Sequence, residues 1–218
     1  MIKLDARLAA AAEMVRPGSV AADIGSDHGY LACHLVQCEL CPKVYACDIN
    51  VEPLERTKRT IRQCGLGDRV EARLSDGLAA LHNAALDDVV IAGMGGELIA
   101  QILDDAPWLR DEHTRFILQP MSKAERLRAW LYQNGYELLA ERAVSCGRFS
   151  YSVMQAAYCG EKREISLKFA WTGLLWDNES SEAIEYLQHV LSNIQKIAGG
   201  TGDTDYIALT EELRARLR

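Results

Sequence analysis

One stretch near the start of the chain combines glycines with carboxylates in a strand–turn–helix pattern. Residues 22–31 run from an apolar segment into a turn that contains Gly25 and Gly29. Asp23 precedes Gly25, and Asp27 lies between the two glycines. A Rossmann-type sheet binds a nucleotide-containing cofactor at such a turn. Two carboxylates would repel the pyrophosphate of a dinucleotide, whereas they attract the sulfonium and ammonium groups of S-adenosylmethionine. The turn therefore favours this methyl donor over NAD.

Three later segments add candidate cofactor ligands. Asp48 follows Asp23 at about the 20-residue offset at which an acidic side chain accepts hydrogen bonds from ribose hydroxyls. Asp76 can accept a bond from the adenine amine, and the glycines around Met94 let a substrate approach the methyl group. Each aspartate is also consistent with a helix cap or a turn. The candidate cofactor-binding residues are Asp23, Gly25, Asp48, Ile49, Asp76, Gly77, Gly93, Met94 and Gly95.

The elements that must position these residues follow a regular alternation of apolar runs and helical patterns, which predicts βαβ units on a parallel sheet. Predicted helices cover 4–14, 27–37, 51–64, 97–103 and 122–134, and predicted strands cover 19–24, 44–47, 69–74, 88–92 and 115–118. Two further strand-like runs, 136–145 and 149–158, are joined by a link that is too short for anything but an antiparallel hairpin. We therefore expect an α/β fold with a seven-stranded, Rossmann-like methyltransferase sheet over residues 1–160.

Residues 161–218 differ in composition and predict a separate C-terminal helical hairpin. Helices are expected over 179–198 and 206–217, joined by the glycine-rich link 199–203. The first carries one apolar stripe, which indicates core packing, with a partner-binding face as the alternative. Its members are Ala183, Tyr186, Leu187, Val190, Leu191, Ile194 and Ile197.

Composition limits the possible surroundings and partners. The 218 residues carry a net charge of −7, so any nucleic acid must be held by local cationic patches. No apolar run is long enough for a membrane span or signal peptide, and seven irregularly spaced cysteines suit a reducing compartment. We expect a cytoplasmic protein; its oligomeric state is not indicated.

A cysteine pattern offers one competing interpretation. Cys33, Cys38 and Cys41 have the beginning of an iron–sulfur spacing, with Cys47 further on. Cys33 falls in a predicted helix and Cys47 in a predicted strand, where small thiols are common core residues. No second Cys-x2-Cys pair completes a zinc site, so no metal is predicted.

Three segments together resemble the signature sequences of the bacterial tRNA (adenine-N1)-methyltransferases that act on position 22 of tRNA. These segments are 23–31, 91–96 and 118–120, and the likeness runs from Arg7 to about Ala157. The resemblance implies a Rossmann-like domain, S-adenosylmethionine as cofactor, tRNA as partner, and a C-terminal helical hairpin that helps to hold the tRNA. Met121 departs from the family pattern, which has Asn there, and residues 161–218 match only in general character.

For such a reaction, N1 of adenine already presents a lone pair, so the enzyme must mainly align the reactants and exclude water. The catalytic candidates are Asp27, to stabilise the positive charge that develops on adenine, His28, to help remove a proton, and Tyr30, to stack on the base. Asp27 as a helix N-cap and His28 as a structural hydrogen-bonding residue remain alternatives.

Substrate contacts are assigned to Gln119 at the adenine edge, with strand-end packing as its alternative, and to Pro120. Phosphate contacts are assigned to cations such as Arg7, Lys123, Arg126 and Arg128, with a solvated helix face as the alternative for each. The basic residues of 56–62 are interpreted as a solvated helix face. Three rival functions stay open: methylation of another substrate, NAD-linked oxidoreduction, and tRNA binding without catalysis.

Overall fold

The computed structural model describes residues 1–218 and contains one seven-stranded sheet in the order β3-β2-β1-β4-β5-β7-β6. Strands β1 to β5 are parallel, and β7 pairs antiparallel with both β5 and β6. This arrangement confirms the predicted methyltransferase-type sheet that ends in a reversed hairpin. The strands are β1 (Val20–Ile24), β2 (Lys43–Asp48), β3 (Val70–Leu74), β4 (Asp88–Gly95), β5 (Arg115–Ser122), β6 (Tyr136–Cys146) and β7 (Phe149–Tyr158).

Helices cover both faces of the sheet. Along β4, Val89 and Ile91 face one apolar cluster while Val90 faces the other, as expected for a strand buried on both sides. The helices are α1 (Ala6–Met14), α2 (Tyr30–Gln37), α3 (Val51–Cys64), α4 (Gly96–Asp104), α5 (Ala124–Gln133), α6 (Leu167–Thr172), α7 (Ser181–Thr201) and α8 (Thr204–Arg216). None of them is long and apolar enough to cross a membrane.

Several predicted boundaries shift for identifiable reasons. Helix α2 begins at Tyr30 rather than at Asp27, because Asp27 and Gly29 have left-handed backbone conformations with φ of 49° and 71°. Strand β4 continues through the glycines to Gly95, with register shifts against β5. Helix α7 runs through the predicted link to Thr201 and ends at Gly202, whose left-handed conformation closes the helix.

The C-terminal helices pack on the sheet rather than projecting from it. Buried residues of α7 and α8 form an apolar cluster that also includes Leu175 and contacts Ala143 of β6. Five of the seven stripe residues are buried, as the core interpretation predicts: Ala183, Tyr186, Leu187, Val190 and Ile194.

A buried ion pair of the sheet domain, between Arg128 and Glu141, binds the C-terminal unit through hydrogen bonds. Arg128 of α5 is fully buried and donates to Glu141 Oε1 at 2.6 Å, to the Tyr186 hydroxyl at 3.0 Å and to the Ala170 carbonyl at 2.7 Å. The prediction that Arg128 binds tRNA phosphate is therefore wrong, since its guanidinium is enclosed by protein groups. Gly173 (φ 55°) is required beside this pair, because a Cβ there would overlap the Glu141 carboxylate.

Candidate active site

The carboxyl ends of β1 to β4 meet at one end of the parallel strands and border two cavities. The β2–β3 cavity, of about 260 Å³, is lined by Asp48, Ile49, Asp76, Gly77 and Met94 among others. The β1–α2 cavity, of about 320 Å³, is lined by residues that include Arg7, Asp23, Asp27, His28, Tyr30 and Gly93. The fold thus brings the predicted cofactor residues and the predicted catalytic residues to adjoining spaces.

Gly25 is common to both cavities and fixes the passage between them. It has a left-handed φ of 76°, and the Met94 side chain fills the space that a Cβ would need. A ligand that occupied both cavities would pass over the Gly25 backbone and beside the Met94 thioether. The left-handed conformation explains why the position favours glycine.

Asp23 is a buried carboxylate at the end of β1. It is 4% exposed, and Ser26 Oγ donates to its Oδ2 at 2.7 Å. Burial raises the pKa of Asp23 to about 6, and the neighbouring Asp48 carboxylate also acts to raise it. No cationic side chain contacts this buried carboxylate. It therefore favours a cationic ligand, which would stabilise the negative charge that burial has removed from water.

Asp48 and Asp76 border the β2–β3 cavity in different ways. Asp48 is 8% exposed, and its carboxylate accepts the backbone N–H groups of Asn50 at 2.8 Å and Asp27 at 3.3 Å. Asp76 is exposed, and no side-chain hydrogen bond occupies its carboxylate. Asp48 is therefore held rigidly at the end of β2, while Asp76 is free to bind a ligand.

Asp27 is held in its left-handed turn by α3. Arg56 Nη2 donates to Asp27 Oδ1 at 2.9 Å, and Thr57 Oγ1 donates to the Asp27 carbonyl at 2.9 Å. The N-cap of α2 is Gly29, so the N-cap interpretation of Asp27 is wrong. Arg56 is a positioning residue that the sequence analysis missed, since nothing in a basic helix face shows which arginine meets a turn far away in the chain.

His28 and Tyr30 form a stacked pair beside this carboxylate. Their ring centroids are 5.1 Å apart with planes inclined by 13°. His28 Nε2 lies 3.6 Å from Asp27 Oδ2, and Tyr30 keeps 44% of its surface exposed. The three predicted catalytic residues therefore share one wall of the β1–α2 cavity, where an aromatic face and a carboxylate lie close together.

Gln119 and Pro120 lie near the end of β5. Both are buried; Gln119 Oε1 accepts the Gly93 N–H at 3.1 Å and Gln119 Nε2 donates to the Pro120 carbonyl at 3.0 Å. With both ends of its amide engaged inside the protein, Gln119 does not present an edge to a base. These bonds favour the strand-end packing role of Gln119, which holds the glycine segment at the end of β4, while a substrate contact of Pro120 stays a prediction.

The predicted phosphate-binding cations form ion pairs with carboxylates of the protein. Arg7 lines the β1–α2 cavity, with Nη2 at 2.7 Å from Asp5 and Nη1 at 2.9 Å from Met121 Sδ. Lys123 and Arg126 both form ion pairs with Glu97. All seven cysteines are free thiols, and no cluster of three or more His, Cys, Asp or Glu side chains is arranged to hold a metal ion.

Comparisons with known proteins agree with this geometry. A family model described as a methyltransferase domain matches residues 4–154. The crystal structure of the Bacillus subtilis m1A22 tRNA methyltransferase TrmK superposes with a TM-score of 0.82 at 30% identity, covering 100% of this chain and 97% of that one. The chain belongs to the tRNA (adenine-N1)-methyltransferase family.

Other family members extend the comparison to cofactor-bound forms. A Streptococcus pneumoniae protein in complex with S-adenosyl-L-methionine has a TM-score of 0.88 at 25% identity, covering 99% of this chain and 100% of that one. The curated Bacillus subtilis tRNA (adenine(22)-N(1))-methyltransferase is 37% identical over 155 residues, which are 71% of this chain. That match spans 65% of the length of the curated Bacillus relative, and another spans 60% of a Mycoplasma pneumoniae relative.

Proposed function

We propose that this protein transfers the methyl group of S-adenosylmethionine to N1 of an adenine in tRNA, at position 22. The observation that carries the proposal is the buried Asp23 carboxylate beside the Gly25 passage between two cavities. This arrangement suits an elongated ligand with a cationic centre near Gly25. Family membership supports the choice of an adenine in tRNA as the methyl acceptor.

The residues present fit S-adenosylmethionine. Its adenosine suits the β2–β3 cavity, where Asp48 is available to ribose hydroxyls and Asp76 to the adenine amine. Its ammonium and sulfonium groups suit the acidic environment of Asp23, with the Met94 thioether as an apolar contact. When bound, the cofactor supplies an electrophilic methyl group to the β1–α2 cavity.

The side chains of the β1–α2 cavity then act on the target adenine. Tyr30 stacks on the base, which must leave its pair or stack before its Watson–Crick edge becomes accessible. Asp27 stabilises the positive charge that develops on the ring, and Arg56 and Thr57 hold Asp27 in position. His28 accepts the proton that the product loses from its exocyclic nitrogen.

The proposal is tested by incubating the purified full chain with labelled S-adenosylmethionine and an unmodified tRNA transcript. Nucleoside mass spectrometry should find 1-methyladenosine, and a transcript with guanine in place of adenine 22 should stay unlabelled. Label in a protein or a small molecule but not in tRNA would contradict the proposal. So would a rise in melting temperature with NAD and none with the methyl donor.

A further inference from the structure

A third cavity, separate from the two described above, lies where the β6–β7 hairpin meets the C-terminal helices. This hairpin cleft encloses about 300 Å³ between the end of β5, the tip of the hairpin and α7. Its lining includes Met121, Lys123, Phe149, Tyr151, His189 and Asn193. No step of the proposed reaction uses these residues.

The hairpin cleft combines exposed aromatic surface with unused hydrogen-bonding groups. Phe149 is 45% exposed, and its ring lies 6.2 Å from that of Tyr151. Ser150 Oγ is buried without a hydrogen-bond partner, and the side chains of His189 and Asn193 make no hydrogen bond within the protein. An unstacked nucleobase requires both features, namely a ring to stack on and polar groups for its edge.

The charges of the cleft favour a base over a phosphate. Lys123 and Glu125 both line it with opposite charges, and Lys123 is already paired with Glu97. Arg148 at the hairpin tip lies 5.0 Å from the Phe149 ring centroid, where it packs over the ring. An RNA phosphate would find Arg148 as the one cation beside the cleft without a carboxylate partner, whereas a neutral base would find an aromatic platform.

Arg7 links the hairpin cleft to the cavity that receives the target adenine. Arg7 lines the β1–α2 cavity, and its guanidinium carbon lies 5.7 Å from the Tyr151 ring centroid. Its Nη1 also contacts Met121, another residue of the cleft. Arg7 therefore lies between the two spaces, in contact with residues of both, which suits two neighbouring nucleotides of one RNA strand.

We propose that the hairpin cleft is a second base-binding site, which takes the unstacked base of a nucleotide next to the methylated adenine. The inference rests on the proposed function, because it assumes that the β1–α2 cavity receives an adenine of tRNA. Phe149 supplies the stacking surface, and His189 and Asn193 bind the base edge. The C-terminal helices thus contribute to substrate selection by forming one side of this site.

The first test substitutes exposed residues of the cleft. Phe149→Ala and His189→Ala should each raise the KM for tRNA about tenfold, the cost of losing one base contact. The kcat at saturating tRNA, the Kd for S-adenosylmethionine and the Tm should stay unchanged, and Phe149→Tyr should retain the wild-type KM. Leu139→Ala and His113→Ala remove an exposed apolar residue and an exposed histidine outside the cleft, and should change nothing.

The second test identifies the occupant with transcripts that carry one abasic nucleotide on either side of the target adenine. At one of these positions the abasic site should raise the KM about as much as Phe149→Ala does, and the two changes together should cost no more than either alone. Penalties that multiply at both positions would overturn the proposal.

Other outcomes separate this inference from the proposed function. A KM within twofold of wild type in both Phe149→Ala and His189→Ala, with active wild-type enzyme, would overturn the second base-binding site alone. A loss of binding to another protein with unchanged tRNA kinetics would do the same. Failure of the wild-type enzyme to methylate any tRNA would overturn the proposed function and this inference with it.

Discussion

Asp23 and Asp27 are close together in the sequence but lie in different environments. Asp23 is buried with a pKa raised to about 6, whereas the Asp27 side chain is 55% exposed and paired with Arg56. A buried carboxylate gains most from a permanent cationic ligand, and an exposed one is accessible to a substrate that enters and leaves. The two positions therefore suit different tasks, binding the cofactor and stabilising the charge on the base.

Asp23→Asn should weaken cofactor binding and stabilise the free protein at neutral pH. Between the unfolded pKa of 3.8 and the folded value of about 6, the folded protein holds a proton that the unfolded chain has lost. The free energy of unfolding of the wild type therefore falls as pH rises through this window, by up to about 3 kcal/mol. The free energy of unfolding of Asp23→Asn does not fall in this way, because asparagine does not ionise. Its ligand-free Tm at pH 7.5 should therefore exceed that of the wild type.

The measurements are Tm against pH from 4 to 8 without ligand, and calorimetric titration with S-adenosylmethionine. The affinity of the wild type should also fall below about pH 6, where Asp23 becomes protonated. Asp76→Asn is the control, because its carboxylate is exposed and its loss should weaken binding without a gain in stability. Unchanged affinity in Asp23→Asn would contradict the assigned role.

Asp27→Asn should reduce kcat about 100-fold, the usual cost of removing one electrostatic contact to a developing charge. Asparagine tolerates the left-handed backbone of this turn, so the fold and the KM for S-adenosylmethionine should be retained. Single-turnover methylation of a tRNA transcript measures the chemical step. Glu52→Gln is a matched control, since Glu52 pairs with the same Arg56 from outside the cavity. A kcat close to that of wild type would leave Asp27 a purely structural residue.

The sequence indicated the site residues that depend on position along a strand, and it missed those that depend on packing between elements. Asp23, Asp48 and Asp76 follow successive parallel strands, so their common edge is fixed by topology alone. The contacts of Arg56 with Asp27 and of Gln119 with Gly93 join residues far apart in the chain. Such pairs depend on the relative orientation of helices and loops, which local periodicity does not determine.

At the scale of elements, the sheet was predictable because each buried strand is a short apolar run and each amphipathic helix has a clear period. The segment 161–178 was not, because α6 is only six residues long and the turn that follows it is 3₁₀-helical. Its conformation depends on Arg128 and Glu141, which bind its carbonyl and amide groups. A short helix gains little from its own hydrogen bonds and forms where tertiary contacts hold it.

Arg128→Met tests the joint between the sheet domain and the C-terminal helices. Glu141 would remain buried without its cationic partner, so the free energy of unfolding should fall by about 3–5 kcal/mol. Pairing the change with Glu141→Gln, which keeps acceptors for the Leu174 N–H, should recover part of the loss. Urea denaturation of both variants and of the wild type measures this.

A decrease below about 1 kcal/mol in Arg128→Met would contradict the role assigned to the ion pair, since exposed salt bridges have effects of that size. Lys168→Met is the matched control, because Lys168 joins α6 to Glu212 of α8 through an exposed ion pair. The free energy of unfolding of Lys168→Met should differ from that of the wild type by less than about 1 kcal/mol. The comparison separates the effect of a buried ion pair from that of an exposed one.

The net charge of −7 on the whole chain limits how the proposed tRNA substrate would be held. Most cations near the two adjoining cavities and the cleft are already neutralised by a protein carboxylate. Arg7 pairs with Asp5, Arg56 with Asp27, and Lys123 and Arg126 with Glu97. Recognition must then depend more on base contacts and shape than on phosphate neutralisation, which agrees with a cleft that offers aromatic faces.

Glu97→Gln tests this balance by freeing two cations at once. Lys123 and Arg126 hold the pKa of Glu97 below its usual range, so the carboxylate is ionised and competes with phosphate for both side chains. The variant should bind tRNA more tightly at low salt, and the slope of log K against log salt should steepen by about one to two.

Glu112→Gln is the control. It makes the same charge change just before β5 begins, at the opposite end of the parallel strands, and should leave the slope unchanged. Filter binding across a salt series measures both variants. Equal slopes for Glu97→Gln and wild type would mean that Lys123 and Arg126 do not face the RNA.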